Sequence, residues 1–255
     1  MAISKTNSRQ RSICEYVARK GEASITDLSL RLEVSEMTVR RDLDQLASSG
    51  LLVRTHGGAA AISSVGVEPS FALRMRTNEE AKKKIALLIS KQVVDGQTIL
   101  LDGGTTGLAV ANELSGRDIT VCTLSIKVAE ALAHGEKTKV IVPGGMIRNE
   151  EMTLIGSEAE AFLGNYHFDT YLMTISAVSD ACVLSEWNPA DAAMKRKAMK
   201  SAKRVVLACD SSKFGSEAFS RVAVLSDVDA LVTDSELSVG IRKMANEAGV
   251  ELHVA

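Results

Sequence analysis

The sequence predicts a two-domain α/β protein, a small N-terminal helix-turn-helix domain joined to a larger Rossmann-like α/β domain, and three observations carry that expectation. Charge divides along the chain: the first 56 residues hold nine basic and seven acidic side chains, leaving 21 basic and 25 acidic for the remainder. Gly57 to Ser70 reads GGAAAISSVGVEPS, rich in Gly, Ala and Ser, with no sustained helical or strand period, as in a linker. Beyond it, short apolar runs alternate with helix-length segments, the pattern of a largely parallel sheet covered on both faces. These features set expected domains at 1–57 and 78–255, with 58–77 as the linker.

In the first domain, Ile13, Tyr16 and Val17 recur at i, i+3, i+4 and give a short first helix an apolar stripe, with Gly21 placed to end it. Ser24 or Thr26 can cap a second helix that buries Leu28 and Leu32. Glu33-Val34 makes a very short turn, and Ser35 can cap a third helix whose Val39, Leu43 and Leu46 face inward until Gly50 stops it. Two helices joined this tightly behind a supporting helix make a helix-turn-helix. With Val39 pointing inward and about 100° per residue, Met37, Thr38, Arg41 and Gln45 point outward, with Arg40 on the flank.

That outward face suits double-stranded DNA. Thr38 and Gln45 can bond base edges, Arg41 can pair bidentately with guanine, and Arg40 can neutralise a phosphate. An ordinary amphipathic helix with a solvated face shows the same stripe, but the short turn, the serine cap and the paired arginines favour the DNA reading. After Gly50, Leu51-Leu52-Val53-Arg54-Thr55-His56 reads as a β-wing, whose Arg54 and His56 are candidates for phosphate or minor groove; for His56 a plain wing position is nearly as good a reading.

In the second domain, Ala81, Ile85, Leu88 and Ile89 define an amphipathic helix with Lys82, Lys83 and Lys84 on and around its solvated side. Strands are expected at 98–102, 119–123, 139–143, 168–176, 204–210, 229–234 and from Val250, with helices at 107–114, 126–133, 189–202 and 237–248. In such sheets ligands bind outside the carboxyl ends of the strands. Those ends are polar here. The first strand runs into Asp102-Gly103-Gly104-Thr105-Thr106-Gly107, where glycines let the backbone approach an anion and a helix N-terminus supplies N–H donors. Alone, this run is more often a tight turn than an anion site; its position after a strand and before a helix favours the anion.

The other strand ends present Thr123 and Ser125, Gly144 and Gly145, Ser176, and Asp210 with Lys213; Lys195 is a second candidate cation. Singly each lysine reads as a surface residue. Together the set describes a phosphorylated sugar or polyol, with Asp102 and Asp210 for its hydroxyls. No Gly-Lys-Ser/Thr and no G-x-G-x-x-G follows, so no nucleotide cofactor is expected.

Several classes are excluded. With 45% hydrophobic and 24% charged residues the composition is that of a folded globular chain, and a net charge of −2 means that any nucleic-acid site is local. No run approaches the roughly 18 apolar residues that span a bilayer, and MAISKTNSRQRS lacks the apolar core of a signal peptide, so no membrane partner and a cytoplasmic location are expected. Cys14, Cys122, Cys182 and Cys209 are far apart with no C-x-x-C, so neither a metal site nor a disulfide framework is expected.

VSEMTVRRDLDQL followed by GLLVRTHGGA resembles the N-terminal signature of the DeoR family of bacterial transcription regulators, and DGGTT, the VPGG turn, DAAMKRKAM, CDSSKFG and LVTD extend the resemblance over nearly all of the second domain. The resemblance implies a winged helix-turn-helix joined to a sensor domain similar in fold to ribose-5-phosphate isomerase. It also implies a repressor of carbohydrate catabolism genes released by a phosphorylated sugar, with Thr105, Thr106, Thr123, Lys195 and Lys213 at the effector. The chain departs from the family pattern at Leu124, where an asparagine is usual, at Asp191, where a glutamate is usual, and over Ala177–Leu184, where glycines are replaced. These departures suggest a pocket adapted to an unusual effector. A phosphosugar isomerase or deaminase with Asp102, Asp191 or Asp210 as base, and a constitutive DNA binder with a vestigial pocket, are the competing readings. A dimer or tetramer is expected, because one recognition helix gives little affinity without a paired half-site.

Overall fold

The computed structural model describes residues 2–48, 51–55, 57–60 and 68–255. The chain divides into two compact units, Met1–Thr77 and Asn78–Ala255.

The first unit runs α1 (Ala2–Lys20), β1 (Glu22–Ser24), α2 (Ile25–Leu32), α3 (Glu36–Ser48), β2 (Val53–Thr55), β3 (Gly58–Ala60) and α4 (Phe71–Arg76). Both expected caps form: Asp27 N–H donates to Ser24 Oγ at 3.0 Å and Thr38 N–H donates to Ser35 Oγ at 3.2 Å. Between them Glu33 takes a left-handed conformation at φ 53°, which lets α2 stop and the chain reverse within a few residues. Ile13, Val17, Leu28, Val39, Leu43 and Leu46 close one core with Leu52. Buried Asp42 accepts from Arg9 of α1, Nη2 at 3.0 Å, tying the supporting helix to α3.

The wing corrects the sequence reading. β3 lies between β1 and β2, antiparallel to both, so the segment after Gly57 begins with a paired strand and a boundary at 57 cuts through the hairpin. Small side chains over 58–60 read as linker because alanine and glycine carry little strand signal. Phe71–Arg76, also within the expected linker, is helical and capped by Ser70 Oγ. His56, Gly50 and the linker residues 61–67 lie outside the described residues.

The second unit runs α5 (Glu79–Gln92), β4 (Thr98–Leu101), α6 (Gly104–Leu114), β5 (Thr120–Thr123), α7 (Ile126–Ala133), β6 (Lys139–Ile141), β7 (Met146–Arg148), β8 (Thr153–Ile155), α8 (Ser157–Leu163), β9 (Phe168–Met173), β10 (Ala177–Val178), β11 (Val183–Glu186), α9 (Pro189–Lys200), β12 (Ala202–Ala208), β13 (Ser220–Val224), β14 (Ala230–Thr233), α10 (Val239–Glu247) and β15 (Glu251–Val254). Seven strands form one parallel sheet in the order β15-β14-β12-β9-β4-β5-β6. Helices cover both faces. Along β4, Leu100 joins one apolar cluster while Ile99 and Leu101 join the other, which is why that strand is apolar throughout.

Two pieces of this unit were absent from the expected alternation. β7 and β8 form an antiparallel hairpin, and β10, β11 and β13 form a separate antiparallel sheet. Lys82 is a further correction: it is 5% exposed, not on the solvated side of α5, because that face packs against the sheet, with α5 burying Ile85, Ala86 and Ile89 beside it.

Candidate functional site

In the first unit, α3 presents the side chains that its period assigned to solvent. Met37 is 74% exposed, Arg40, Arg41 and Gln45 are exposed, and Thr38 is partly so. Among the described residues Arg40 pairs with exposed Glu36 at 3.5 Å, an ion pair of a kind that contributes little and yields readily. Gln45 accepts from Gln10 Nε2 at 2.6 Å. Arg54 ties the wing to α3, donating to Asp44 Oδ1 at 2.9 Å and, within the wing, to the Gly58 carbonyl at 2.6 Å.

In the second unit, the chain leaves β4 toward β5 and β6 on one side, then crosses back to place β9 on the other. The carboxyl ends of β4 and β9 therefore flank the topological switch point, where doubly wound sheets bind ligands. Asp102 follows β4 and Thr174 follows β9. The Asp102 carboxylate accepts from Gly103 N–H at 2.8 Å, Thr174 N–H at 3.0 Å, Thr174 Oγ1 at 3.2 Å and Tyr171 Oη at 3.2 Å, and it also accepts from Lys195 Nζ. Burial pushes the Tyr171 hydroxyl well up, as does the facing Asp102.

α6 starts earlier than expected, at Gly104, so the glycine and threonine run is its first turn and not a loop before it. Gly104 sits at φ 74°, a conformation open to glycine. Gly107 is packed on the strand end: a Cβ there would lie 2.2 Å from the Asp102 carbonyl oxygen. No side chain caps the first-turn amides at Gly103, and the buried Thr105 and Thr106 hydroxyls make no hydrogen bond among the described residues. The helix end thus offers donors at the switch point.

Lys195, 6% exposed on α9, is fully engaged: besides Asp102 it meets Glu186 Oε1 at 3.2 Å and donates to the Thr174 carbonyl at 2.8 Å. Burial alone pulls its ammonium down; Asp102 and Glu186 outweigh that and hold it above the ordinary lysine range, so it stays charged. Ser176 joins the same group, its N–H donating to Glu186 Oε1 at 3.2 Å. On the other side of α6, Thr123 Oγ1 accepts from Ser125 N–H at 3.1 Å, and Ser125 caps α7.

Asp210 and Lys213 stand in a second group, at the end of β12. Asp210 accepts from Asn78 Nδ2 at 2.7 Å and from Ser212 Oγ at 2.5 Å, and the Lys213 ammonium has no ion-pair partner among the described residues. Gly144 is exposed with open space at its Cα, whereas Gly145, at φ 139°, packs on Ile155.

Several contributors escaped the sequence reading. Thr174 and Tyr171 donate to Asp102, Asn78 donates to Asp210, and Glu186 accepts from Ser176 and pairs with Lys195. Arg148, on β7, pairs with Asp191 Oδ2 at 2.6 Å, and Thr153 Oγ1 donates to Asp191 Oδ1 at 3.0 Å. Burial pushes the Asp191 carboxyl up to about 6 against the opposing pull of Arg148. Leu124 packs into the same apolar cluster as Leu154, and Asn188 caps α9 by accepting from Ala190 N–H at 2.8 Å.

The DeoR-like helix-turn-helix domain matches residues 9–65 and the DeoR C terminal sensor domain matches residues 77–235. Similar proteins include the glycerol-3-phosphate regulon repressor of Escherichia coli (strain K12), 32% identical over 98% of this chain and 99% of that protein. The HTH-type transcriptional regulator GlpR of Haloferax volcanii is 34% identical over 95% of each chain, and the HTH-type transcriptional repressor GlcR of Bacillus subtilis (strain 168) is 32% identical over 95% and 94%. Among solved structures, ribose 5-phosphate isomerase A from Methanocaldococcus jannaschii aligns with 54% of this chain and 55% of its own at 19% identity and a TM-score of 0.40. With one DeoR model over its helix-turn-helix and another over more than half its length, the chain belongs to the DeoR family of DNA-binding transcriptional regulators.

Proposed function

We propose that this regulator is a repressor of carbohydrate catabolism genes, released from its operator by a phosphorylated sugar or polyol. The observation that carries the effector half is the uncapped, glycine-threonine N-terminus of α6 standing at the switch point between β4 and β9. The DNA half rests on the outward face of α3, with Thr38, Arg41 and Gln45 assigned to base edges, Arg40 to phosphate, and Ser35, Met37 and Arg54 as further contacts, while His56 is assigned from the sequence alone. Asp102, Gly103, Gly104, Thr105, Thr106, Thr123, Ser125, Gly144, Gly145, Ser176, Lys195, Asp210 and Lys213 surround the effector. Residues 1–60 then form the DNA-binding domain, and the sensor domain begins at Asn78.

The protein binds and does not turn its ligand over. Supporting this, Lys195 is held charged between two carboxylates and is poorly placed to act as a base. It works in the cytoplasm as a homodimer or homotetramer, whose paired heads read paired half-sites. No helix among the described residues is long and apolar enough to cross a membrane. Fluorescence anisotropy on the gene's own upstream DNA, against random competitor and with a panel of sugar phosphates, tests this. Sequence-preferring, salt-sensitive binding that one phosphosugar weakens is expected; absence of binding at low salt defeats the reading.

A further inference from the structure

The hairpin β7–β8 lies across the carboxyl ends of the sheet. Ile126 N–H donates to the Met152 carbonyl at 2.9 Å, Leu154 N–H donates to the Leu124 carbonyl at 2.7 Å, and Thr153 bridges to Ser125. A Cβ on Gly103, the N-cap of α6, would lie 3.2 Å from both Thr153 Cγ2 and Ser125 Cβ, so the hairpin touches the start of the anion-binding helix. Arg148 stands opposite Thr153 in the hairpin register, and both hold Asp191. The cation expected at this end, Lys195, is already neutralised by Asp102 and Glu186. Arg148 and Asp191 are 16% and 13% exposed, so their pair is largely withdrawn from water yet reachable.

We propose that Arg148 is the guanidinium that receives the effector's phosphate at the α6 N-terminus, and that Asp191, displaced from it, takes up a proton. The inference rests on the sensor reading above and assigns its charge partner. A planar fork suits a phosphate's oxygens bidentately, where a lysine's single ammonium does not. Asp191 is faced by Arg148 from β7, the Thr153 hydroxyl from β8, Glu186 from β11, Tyr171 from β9 and Lys195 from its own helix. When Arg148 turns to the phosphate, Glu186 and burial remain to oppose the Asp191 charge, and Lys195 is divided among three carboxylates. Neutralising Asp191 at that moment also removes a negative charge from beside an arriving dianion.

Linkage sets the sign: a group that gains a proton on binding makes binding stronger as pH falls. Sulfate is the probe, because it remains a dianion over the whole range and contributes no titration of its own, with inorganic phosphate alongside. Trp187, the only tryptophan in the sequence, lies four residues before Asp191 and provides a fluorescence signal on the full-length protein. Between pH 6 and 8 sulfate affinity of the wild type is expected to fall by up to about tenfold per pH unit, and calorimetry in two buffers of different ionisation heat is expected to show uptake of up to one proton. Asp191→Asn removes that dependence. Arg148→Met weakens sulfate at least about tenfold, and Arg148→Lys restores part of it, as expected for a charge-assisted contact. Sulfate binding untouched by Arg148→Met, or a pH dependence that survives in Asp191→Asn, overturns the inference and leaves the sensor reading standing. Failure of the wild type to bind either anion defeats both.

Discussion

Removing Lys195 would strand Asp102 and Glu186 as buried carboxylates without a counter-charge, and that imbalance is costlier than the pair is stabilising. Lys195→Met is expected to lower unfolding free energy by about 3–5 kcal/mol, measured by urea titration, and adding Asp102→Asn is expected to recover part of the loss because the two sites are coupled. At Asp191 the carboxyl is raised to about 6 in the folded state, so its contribution favours folding most at pH below the unfolded carboxylate range and fades as pH rises through about 6. The wild type should therefore lose stability relative to Asp191→Asn between about pH 4 and 6 and level off above that, a trend that parallel melts would read. On α3, Arg41→Ala should relax discrimination at one base pair by about 1–3 kcal/mol, whereas Arg40→Ala should weaken every sequence and reduce the salt slope by about 1. Equal losses on cognate and random DNA for Arg41→Ala would refute its base-reading role. The outward direction of the α3 side chains was legible because a helical period fixes direction once Val39 is placed inward. The engagement of Lys195 and the burial of Lys82 were not, since lysines seldom sit inside and nothing local to Lys195 marks Asp102 and Glu186, the carboxylates that hold it.

α6 depends on one close approach. Gly107→Ala would drive a methyl to 2.2 Å from the Asp102 carbonyl, so the helix must lift from β4. The expected result is a protein that still binds DNA but no longer responds to its phosphosugar, scored by anisotropy; an unchanged response would mean that α6 is not the anchor. Elements with strong local signals matched their expected positions, α7 over 126–133 most closely, where Ser125 supplies a cap and the apolar stripe follows at once. The β7–β8 hairpin was illegible for a physical reason. Its turn carries Glu150 at φ 65° and Met152 at φ 59°, left-handed positions that glycine or asparagine would have announced. β10 is two residues long and finds its partners through Ser185 and beyond, so its pattern is too short to read. Since Arg148 sits on that hairpin, the Arg148–Asp191 pair could not be seen before the hairpin was.

At the scale of the whole molecule, in the dimer or tetramer proposed above, an effector that prefers one arrangement of paired heads would couple sensor to operator by about 1–3 kcal/mol, or roughly 5–150-fold in DNA affinity. By reciprocity operator DNA should weaken effector binding by the same factor, which calorimetry with and without the operator would measure; unequal factors would mean that the two ligands do not share one equilibrium. The order of strands in the seven-stranded sheet has a consequence in time as well as in space. The helix-turn-helix closes its core with partners a few tens of residues apart, such as Arg9 and Asp42, while the central pair of the sheet joins Ile99 to Thr170. Local contacts close quickly and a crossover of this span closes slowly. Synthesis runs from the same end, and domains tend to fold as they emerge. On the ribosome, then, the DNA-reading head can be complete while β4 still waits for β9, so a newly made chain passes through an interval in which it can grip DNA before it can be told to let go.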